Sequence, residues 1–291
     1  MIIVKFSGGI GNQLFQYAAG LRIAIRNRTE LKADLSSYST DDLRQFRLHV
    51  FDVRLEQARR LDYEPFKKLR IYGKRHMPLL LLERLGVIHL PRTYTHLCPS
   101  FFPKLLKAGR HSLLNGYWQS EEYFRDISTE LRRNLEFVAP LPKEVQQLAN
   151  EIAHKKCLSV HIRRGDYVAN STNLSNHGVC SVNYYKEALT YFQSRYEIDQ
   201  VLIFSDDIPW VKENLPIGLP HIYASSISSE DYQDLYLMQH CIYHIIANSS
   251  FSWWGAWLSQ ADPLHIIAPK QWFANPSYDS SRIVPTNWHR I

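Results

Sequence analysis

The stretch Cys157–Tyr167 reads CLSVHIRRGDY, an apolar strand that runs directly into two adjacent arginines. Successive side chains of a strand alternate between its faces, so Arg163 and Arg164 point apart until Gly165 lets the chain turn. Beyond the turn, both guanidinium groups can approach one anion, and each can hold a phosphate through two parallel hydrogen bonds. The alternative for this stretch alone is a surface turn in which Asp166 and backbone carbonyls saturate the arginines.

Strands and helices alternate along the chain after this stretch. The apolar pattern predicts strands at 158–163, 201–204, 221–223, 243–247 and 265–268, and helices at 183–196, 229–241 and 251–260. Such alternation implies right-handed βαβ units and a parallel sheet. Open parallel sheets bind ligands at the carboxyl ends of their strands, so the polar residues at those ends are the candidate site.

The N-terminal half begins with the same kind of pattern. A buried strand at Ile2–Phe6 precedes a glycine-rich loop and a predicted helix, and further strands are predicted at 31–34 and 112–118. The helix carries an apolar stripe formed by Leu14, Ala18, Leu21 and Ile25. Residues 35–110 are irregular and receive no assignment. The proline-rich segment 139–142 is the best linker, so the chain is predicted to be α/β with domains at 1–150 and 151–291.

The composition limits the size of the core, the type of ligand and the cellular compartment that the chain is expected to have. The 291 residues are 45% hydrophobic, enough for two ordinary cores. A net charge of +6 suits an anionic ligand, nucleic acid or an acidic membrane surface. Nucleic acid ranks last, because no basic stripe is interleaved with aromatic residues. The four cysteines are widely separated and the start MIIVKFSGG lacks the features of a signal peptide, which together predict a reduced, cytoplasmic protein.

Three polar clusters follow predicted strands. They are His161–Asp166, Ser205-Asp206-Asp207, and Asn248-Ser249-Ser250 with the helix that starts at Phe251. The arginines would neutralise phosphates, and Asp206 or Asp207 would accept hydrogen bonds from a nucleobase or ribose. The third cluster would donate hydroxyl and backbone N–H groups to an anion. Each cluster alone is equally compatible with turn chemistry, but together they predict a site for a nucleoside diphosphate.

The glycine-rich loop Ser7–Gln13 is a second candidate. Leu14 stands where a dinucleotide fingerprint requires its third glycine, so an NAD site is not favoured. Gly9 and Gly11 still allow the backbone to approach a sugar or phosphate closely, with the amides of Asn12 and Gln13 as hydrogen-bonding groups. A tight strand-to-helix turn is the alternative.

Three further motifs are informative. Gly116–Gln119 offers an aromatic face and an amide that suit a sugar ring, although a core tryptophan is an equal alternative. The tryptophans of the helix at 251–260 are predicted to be core residues. His177–Cys180 has no further ligands at metal spacing and no D-x-D triplet occurs, so no metal site is predicted.

These motifs resemble those of the α-1,2-fucosyltransferases of glycosyltransferase family 11. GGIGNQLFQYA, GYWQSEEYF, HIRRGDY, HGVC followed by a tyrosine pair, FSDD and NSSFSWWGAWL occur in that family's order over almost the whole chain. The resemblance implies a GT-B arrangement of two Rossmann-like domains, with the acceptor mainly on the N-terminal side. It also implies inverting transfer from GDP-fucose to the 2-hydroxyl of a terminal galactose on an oligosaccharide, with neither metal nor other cofactor.

Catalytic roles follow from this resemblance and from side-chain chemistry. Arg163 and Arg164 would stabilise charge on the departing phosphate. Asp166 and His161 are candidates for the general base, but orienting Arg164 and binding phosphate are equally suitable roles for them. Asn12 would approach the glycosidic oxygen from the N-terminal domain. A transferase that uses another nucleotide diphosphate sugar, or a noncatalytic nucleotide- or glycan-binding module, is the alternative function.

The region Arg54–Leu85 combines basic clusters with the apolar run Met77–Leu82. Basic residues near an anionic membrane contribute about 1 kcal/mol each, so this region is a candidate for peripheral contact with the inner face of the cytoplasmic membrane. Such contact would suit a lipid-linked acceptor. A solvated helix face over a local core is the commoner explanation of such a pattern.

Overall fold

A computed structural model describes residues 1–41, 43–67, 82, 85, 88–98, 100–259 and 261–291. The chain divides into two compact units, Met1–Glu136 and Phe137–Ile291. This division precedes the boundary predicted between 150 and 151. The reason is that the helix Lys143–Ile152 buries its apolar face in the core of the second unit.

The first unit is built on a parallel sheet. Its strands are β1 Ile2–Lys5, β2 Leu31–Asp34, β3 Glu56–Gln57, β4 Arg92–His96 and β5 Ser112–Gly116. Its helices include α1 Ile10–Asn27 and α2 Ser128–Asn134. Short 3₁₀ turns lie at Ser36–Ser39, Leu48–Val50, Arg60–Tyr63, Pro103–Lys107, Glu121–Tyr123 and Arg125–Ile127. The strand order is β3-β2-β1-β5-β4, so β1 lies at the centre.

The second unit contains another parallel sheet, ordered β11-β10-β9-β6-β7-β8. Its strands are β6 Cys157–Ile162, β7 Gln200–Ser205, β8 His221–Tyr223, β9 Tyr243–Ile245, β10 Ile266–Ala268 and β11 His289–Arg290. Its helices are α3 Lys143–Ile152, α4 Gly165–Ala169, α5 Ser171–His177, α6 Val182–Gln193, α7 Ile208–Asn214, α8 Asp231–Met238 and α9 Ser250–Leu258 among the described residues. Further 3₁₀ turns lie at Ala224–Ser226 and Pro263–His265.

The central strand β6 shows why the second half folds as a parallel sheet. All six of its residues are buried. Leu158, Val160 and Ile162 pack into one apolar cluster with α6. Cys157 belongs to the cluster that includes α3 on the other side of the strand. A strand with apolar residues on both faces requires helices on both sides, as in a doubly wound sheet.

The predicted fold class is confirmed: the chain is α/β, with two Rossmann-like parallel sheets flanked by helices. The tryptophan helix α9 is also a core element as predicted, because Trp253 and Trp254 are fully buried. The indole N–H of Trp253 donates to the Ile283 carbonyl at 2.9 Å. Three strands, β3, β4 and β11, were not predicted.

Most of the basic region 54–85 lies outside the described residues, which include 54–67, 82 and 85 of it. Its predicted contact with a membrane therefore stays a prediction. Among the described residues, no helix is both long and apolar enough to cross a bilayer.

Candidate active site

The strand order of the second unit reverses between β6 and β9. From β6 the chain moves outward through β7 and β8, and then returns to place β9 on the other side of β6. Ligands of open parallel sheets bind at the carboxyl ends of two such strands, because their connections leave in opposite directions. The arginine pair follows β6 and the serines at 249 and 250 follow β9, so two predicted clusters flank this switch point.

Two aspartates hold the arginine pair in place. Arg163 Nη1 lies 2.9 Å from Asp206 Oδ2, and Arg164 Nε lies 3.2 Å from Asp207 Oδ2. The backbone N–H of Arg164 also donates to Asp206 Oδ1 at 2.9 Å. The arginine side chains are 22% and 18% exposed, so both remain accessible while charge-assisted hydrogen bonds fix them.

The two aspartates lie where the chain leaves β7. The strand ends before Asp207 (φ −142°, ψ 62°), whose carboxylate caps α7 by accepting from the Trp210 N–H at 3.2 Å. Both carboxylates have arginine partners, and their contact with a nucleobase or ribose stays a prediction.

Gly165 is required by close packing at this point. A β-carbon on Gly165 would lie 2.6 Å from Asp206 Oδ2, closer than real β-carbons approach other atoms. Its φ is not positive, so the backbone conformation alone does not demand glycine. The glycine of the RRGD motif therefore makes room for the carboxylate that binds Arg163.

Aromatic rings complete the surroundings of the arginines. The Arg164 guanidinium carbon lies 3.8 Å from the centroid of the Trp210 ring, and that of Arg163 lies 5.4 Å from the Tyr167 ring. Tyr167 in turn stacks on His177, with centroids 4.9 Å apart. Cation–π contacts of this kind orient a guanidinium group without neutralising it. Sequence reasoning did not single out Trp210, although its place three residues after a capping aspartate is a usable signal.

His161 is buried on β6 and is 5% exposed. Its ring lies 5.5 Å from that of Phe251, and its Nδ1 atom has no hydrogen-bond partner in the described structure. Burial, reinforced by the nearby Arg163 charge, lowers the pKa of His161 to about 3. Because an effective base needs a pKa near the working pH, this environment argues against His161 as general base. Asp166 lies in α4, and its side chain is outside the described part of the chain.

The cluster after β9 divides into structural and accessible residues. Asn248 is 4% exposed, and its Nδ2 atom donates to the carbonyl oxygens of His177, Gly178 and Trp272 at 2.9–3.3 Å. This corrects its predicted role, because its donors anchor loops instead of a ligand. Ser249 caps α9 by accepting from the Phe251 N–H at 3.3 Å. Ser250 is half-buried at the start of α9 and remains a candidate ligand group.

A cavity of about 290 Å³ lies at the same edge of the second sheet. Its lining includes His177, Cys180, Lys270 and Phe273, and residues 269–271 directly follow β10. The HGVC segment is thus a wall of this cavity. No three His, Cys, Asp or Glu side chains form a metal-binding group in the part of the chain that the structure describes, and metal independence stays a prediction.

The glycine-rich loop of the first unit is shaped by buried amides. Gly8 has a left-handed backbone (φ +76°), and its carbonyl accepts from Gln13 Nε2 at 2.9 Å and from the Tyr38 hydroxyl at 3.0 Å. Gln13 is fully buried, and its Oε1 accepts from the Arg47 N–H at 2.8 Å. Gln13 is therefore structural, which corrects its predicted availability to a ligand.

The other predicted residues of this loop lie at the start of α1. Gly9 is the extended N-cap residue, Gly11 is buried in the first turn, and Asn12 is half-buried beside it. These residues belong to the first unit and the arginines to the second. Their joint contact with one donor molecule stays a prediction.

A family model described as Glycosyl transferase family 11 matches residues 89–291. The chain belongs to glycosyl transferase family 11. The Alpha-1,2-colitosyltransferase of Escherichia coli is 32% identical over 100% of this chain and 99% of its own length. The O-antigen biosynthesis glycosyltransferase WbnK of Escherichia coli is 31% identical over 97% of both chains. The predicted family is therefore confirmed.

More distant similarities extend to animals and to solved structures. A Galactoside 2-alpha-L-fucosyltransferase of Caenorhabditis elegans is 29% identical to this family 11 chain, over 89% of it and 69% of the relative. The crystal structure of fucosyltransferase NodZ from Bradyrhizobium aligns with a TM-score of 0.49 and 14% identity. That alignment covers 91% of this chain and 92% of NodZ.

Buried titratable groups link the stability of this family 11 protein to pH. Burial lowers the pKa of His161 to about 3 and that of His244 to about 4, from an ordinary value of 6.5. Below pH 6.5 the unfolded chain binds more protons, so each histidine removes about 1 kcal/mol of stability per pH unit down to its folded pKa. Burial raises the pKa of Asp234 to about 6. The folded chain therefore binds this proton at a higher pH than the unfolded chain does, so Asp234 adds stability as the pH falls below about 6, opposite to the effect of the histidines.

We expect the melting temperature to fall as the pH is lowered from about 6.5 to 4.5, and His161→Asn to make this fall shallower. The expected difference is about 2–4 °C per pH unit, the equivalent of one proton. Calorimetry at about pH 7, 6 and 5 measures it, with the exposed His154→Gln as control. An identical pH dependence in wild type and His161→Asn would contradict the assignment of a buried neutral imidazole.

Proposed function

We propose that this protein transfers L-fucose from GDP-fucose to the 2-hydroxyl of a terminal galactose on a glycan, with inversion and without a metal ion. The observation that carries the proposal is the aspartate-anchored pair Arg163 and Arg164 at the β6/β9 switch point. Two positive forks at the carboxyl edge of a parallel sheet suit a diphosphate. The names of the C. elegans and E. coli relatives support transfer of a deoxy sugar to position 2.

The reaction exchanges one bond at the anomeric carbon. The acceptor oxygen forms a bond to C1 of fucose while the bond from C1 to the phosphate oxygen breaks. GDP leaves with the electron pair, and the hydroxyl proton passes to a base. Negative charge grows on the departing phosphate, where Arg163 and Arg164 would stabilise it more strongly than in the ground state.

Asp166 is the preferred candidate for the base. A carboxylate is chemically suited to accept the proton of the acceptor hydroxyl. His161 is the weaker candidate, because a buried imidazole with a pKa of about 3 has little affinity for that proton. His161 instead has the position of a neutral group beside Arg163 and Phe251.

A second donor is favoured by one specific observation. The E. coli relative that is 32% identical over the full chain is a colitosyltransferase by name. Colitose differs from fucose by the absence of the 3-hydroxyl, so the same diphosphate site would serve both sugars. Discrimination between them would come from a hydrogen bond to that hydroxyl, because a site built to bind it rejects the analogue that lacks it.

The test is incubation with GDP-fucose or GDP-colitose and a panel of β-galactosides, followed by linkage analysis of the products. An α-1,2-fucosylated galactoside is expected. Product from GDP-colitose alone would favour the second donor, and binding of GDP without transfer or hydrolysis would indicate a noncatalytic module. A thermal-shift comparison of GDP, UDP and ADP separates the nucleotide classes, and a preference for UDP would overturn the proposed donor.

Turnover is expected to continue in excess chelator. The reason is that Arg163 and Arg164 supply the positive charge that a divalent ion supplies in other transferases. Initial rates with and without EDTA measure the effect, and we expect them to agree within about twofold. Abolition of turnover by EDTA and its recovery on adding Mg²⁺ or Mn²⁺ would refute a metal-independent mechanism.

The cellular setting belongs to the same proposal. A cytoplasmic enzyme that uses GDP-fucose could extend a lipid-linked glycan at the inner face of the membrane, and the basic region 54–85 would supply the contact. The assignment of the acceptor mainly to the first unit and of the donor to the second follows from the family resemblance.

A further inference from the structure

The cavity beside the ends of β9 and β10 is built from two segments that a buried asparagine ties together. Asn248 Nδ2 donates to the carbonyl oxygens of His177 and Gly178 in one segment and to that of Trp272 in the other, at 2.9–3.3 Å. The backbone N–H of Ala274 also donates to the His177 carbonyl, at 3.2 Å. These hydrogen bonds fix the two walls relative to each other, so the cavity is preformed.

The backbone of each wall is constrained as well. Gly178 has a left-handed backbone (φ +68°), and a β-carbon there would lie 3.0 Å from the β-carbon of Ala274. On the other wall, the Lys270 N–H donates to the Ile291 carbonyl at 2.8 Å, directly after β10. The side chain of Lys270 therefore starts from a fixed point on the rim.

The lining combines apolar and polar groups. Val179, Pro269 and Phe273 contribute apolar surface, whereas Lys270 and Gln271 contribute an ammonium and an amide. Neither polar side chain forms a hydrogen bond or an ion pair with another residue that the structure describes. None of the described lining residues is an aspartate or glutamate, so none offers Lys270 a carboxylate side chain. Both side chains are exposed and keep their N–H donors for a ligand.

The cavity lies close to the arginine pair in the same sheet. Only β9 separates β10 from β6, and neighbouring strands are about 4.8 Å apart, so the ends of β10 and β6 are about 10 Å from each other. Aromatic rings connect the two places. Tyr167 contacts the Arg163 guanidinium and stacks on His177. The His177 ring lies 5.7 Å from that of Phe273, and both residues line the cavity. A sugar bonded to a phosphate at Arg163 is therefore within reach of the cavity.

We propose that this cavity binds the deoxy sugar of the nucleotide donor, and that Lys270 and Gln271 select the sugar through hydrogen bonds to its hydroxyl groups. The inference rests on the proposed function for the identity of the donor, and it adds the residues that recognise the sugar. The volume of about 290 Å³ is at the small end of ligand pockets, which suits one sugar ring better than an oligosaccharide.

The mixed lining favours the sugar over the diphosphate as the occupant. A fucose ring has a methyl group and C–H surfaces that can pack on the apolar wall, and hydroxyl oxygens that can accept from the ammonium and the amide. A diphosphate has no apolar surface, and its charge suits the two arginine forks. A site built to hydrogen-bond hydroxyl groups also rejects analogues that lack them, which makes the cavity a basis for donor selection.

The test compares the binding of GDP-fucose with that of GDP. Lys270→Met nearly keeps the length of the side chain and removes its ammonium. We expect the ratio of the Kd for GDP-fucose to the Kd for GDP to rise about 10-fold, the cost of one lost hydrogen bond to a charged group, while the Kd for GDP stays within about twofold. Gln271→Leu, which removes a neutral donor, is expected to raise the same ratio about threefold. Isothermal titration without an acceptor measures both constants.

A lysine of the same unit provides the matched control. Lys143 is exposed on α3, whose apolar face packs in the other core cluster of this sheet, and it does not line the cavity. Lys143→Met should leave both Kd values within about twofold. An equal loss of GDP and GDP-fucose binding in Lys270→Met would place Lys270 on the diphosphate and overturn the proposal. An unchanged ratio in both Lys270→Met and Gln271→Leu, or a wild type that does not bind GDP-fucose, would also overturn it.

Transfer assays on the same proteins separate this inference from the proposed function. If the wild type transferred fucose to a galactoside while the Kd ratio did not respond to either substitution, the sugar site would be wrong and the proposed function would stand. If the ratio responded as expected and no galactoside were fucosylated, the sugar site would stand and the proposed function would fail. With both correct, kcat/KM for GDP-fucose should fall about 10-fold in Lys270→Met, with KM for the acceptor within about twofold.

Discussion

Replacing Arg163 with alanine is expected to lower kcat by about 10²-fold or more, the cost of removing one preorganised donor to developing charge. The variant loses the guanidinium at the switch point and leaves the Asp206 carboxylate without its Arg163 partner. Under the proposed function, that negative charge would oppose the charge growing on the departing phosphate. Steady-state kinetics with saturating GDP-fucose and acceptor measure the effect. Because the lost interaction strengthens as the phosphate departs, kcat should fall more than the affinity for GDP.

The Arg163 prediction has two matched controls. Arg163→Lys keeps the charge and loses the bidentate fork, so an intermediate rate is expected. Arg195→Ala removes an exposed arginine of the same unit that also lies over an aromatic ring, 4.2 Å from the centroid of Tyr191, and should change kcat less than about twofold. A wild-type rate for Arg163→Ala would remove Arg163 from the mechanism.

Arg164→Ala is also expected to lower turnover by about 10²-fold or more, but with a different accompanying loss. Arg164 is paired with Asp207 and lies over Trp210, so its removal disturbs the start of α7 as well as the charge of the site. We therefore expect weaker GDP binding and a lower melting temperature together. Isothermal titration and calorimetry on the purified variant measure the two effects.

Trp210→Leu distinguishes the two parts of the Arg164 prediction. It removes the ring face and keeps the guanidinium and its pairing with Asp207, so an intermediate loss of kcat is expected. If Arg164→Ala kept wild-type turnover and lost only thermal stability, Arg164 would be an anchor for α7 and would have no contact with phosphate.

The distribution of apolar residues along the chain was sufficient to predict most of the second sheet. The strands predicted at 158–163 and 201–204 were observed as Cys157–Ile162 and Gln200–Ser205, because strands buried on both faces read as continuous apolar runs. The missing strand β4 reads RTYTH, and its residues are exposed or half-buried at the edge of the first sheet. An edge strand without an apolar face gives no such signal.

The candidate site was predicted in outline and not in its contacts. The sequence placed Arg163, Arg164, Asp206 and Asp207 at strand ends, and the parallel sheet brings β6 and β7 side by side. That the aspartates bind the arginines depends on the turn at Asp207, which the pattern of residue types does not specify. Asn248 shows the converse: a polar residue at a strand end was buried by the loops that it anchors.

The absence of a β-carbon at Gly165 affects what can be inferred from the sequences of homologues. A β-carbon there would lie 2.6 Å from Asp206 Oδ2, the oxygen that binds Arg163, so this carboxylate would have to shift. Glycine at position 165 therefore indicates that the ion pair between Arg163 and Asp206 is present. The two arginines alone do not indicate this. In a newly sequenced homologue that keeps HIRR but substitutes this glycine, the pairing must be rearranged, and its substrate preference should not be inferred from the arginines.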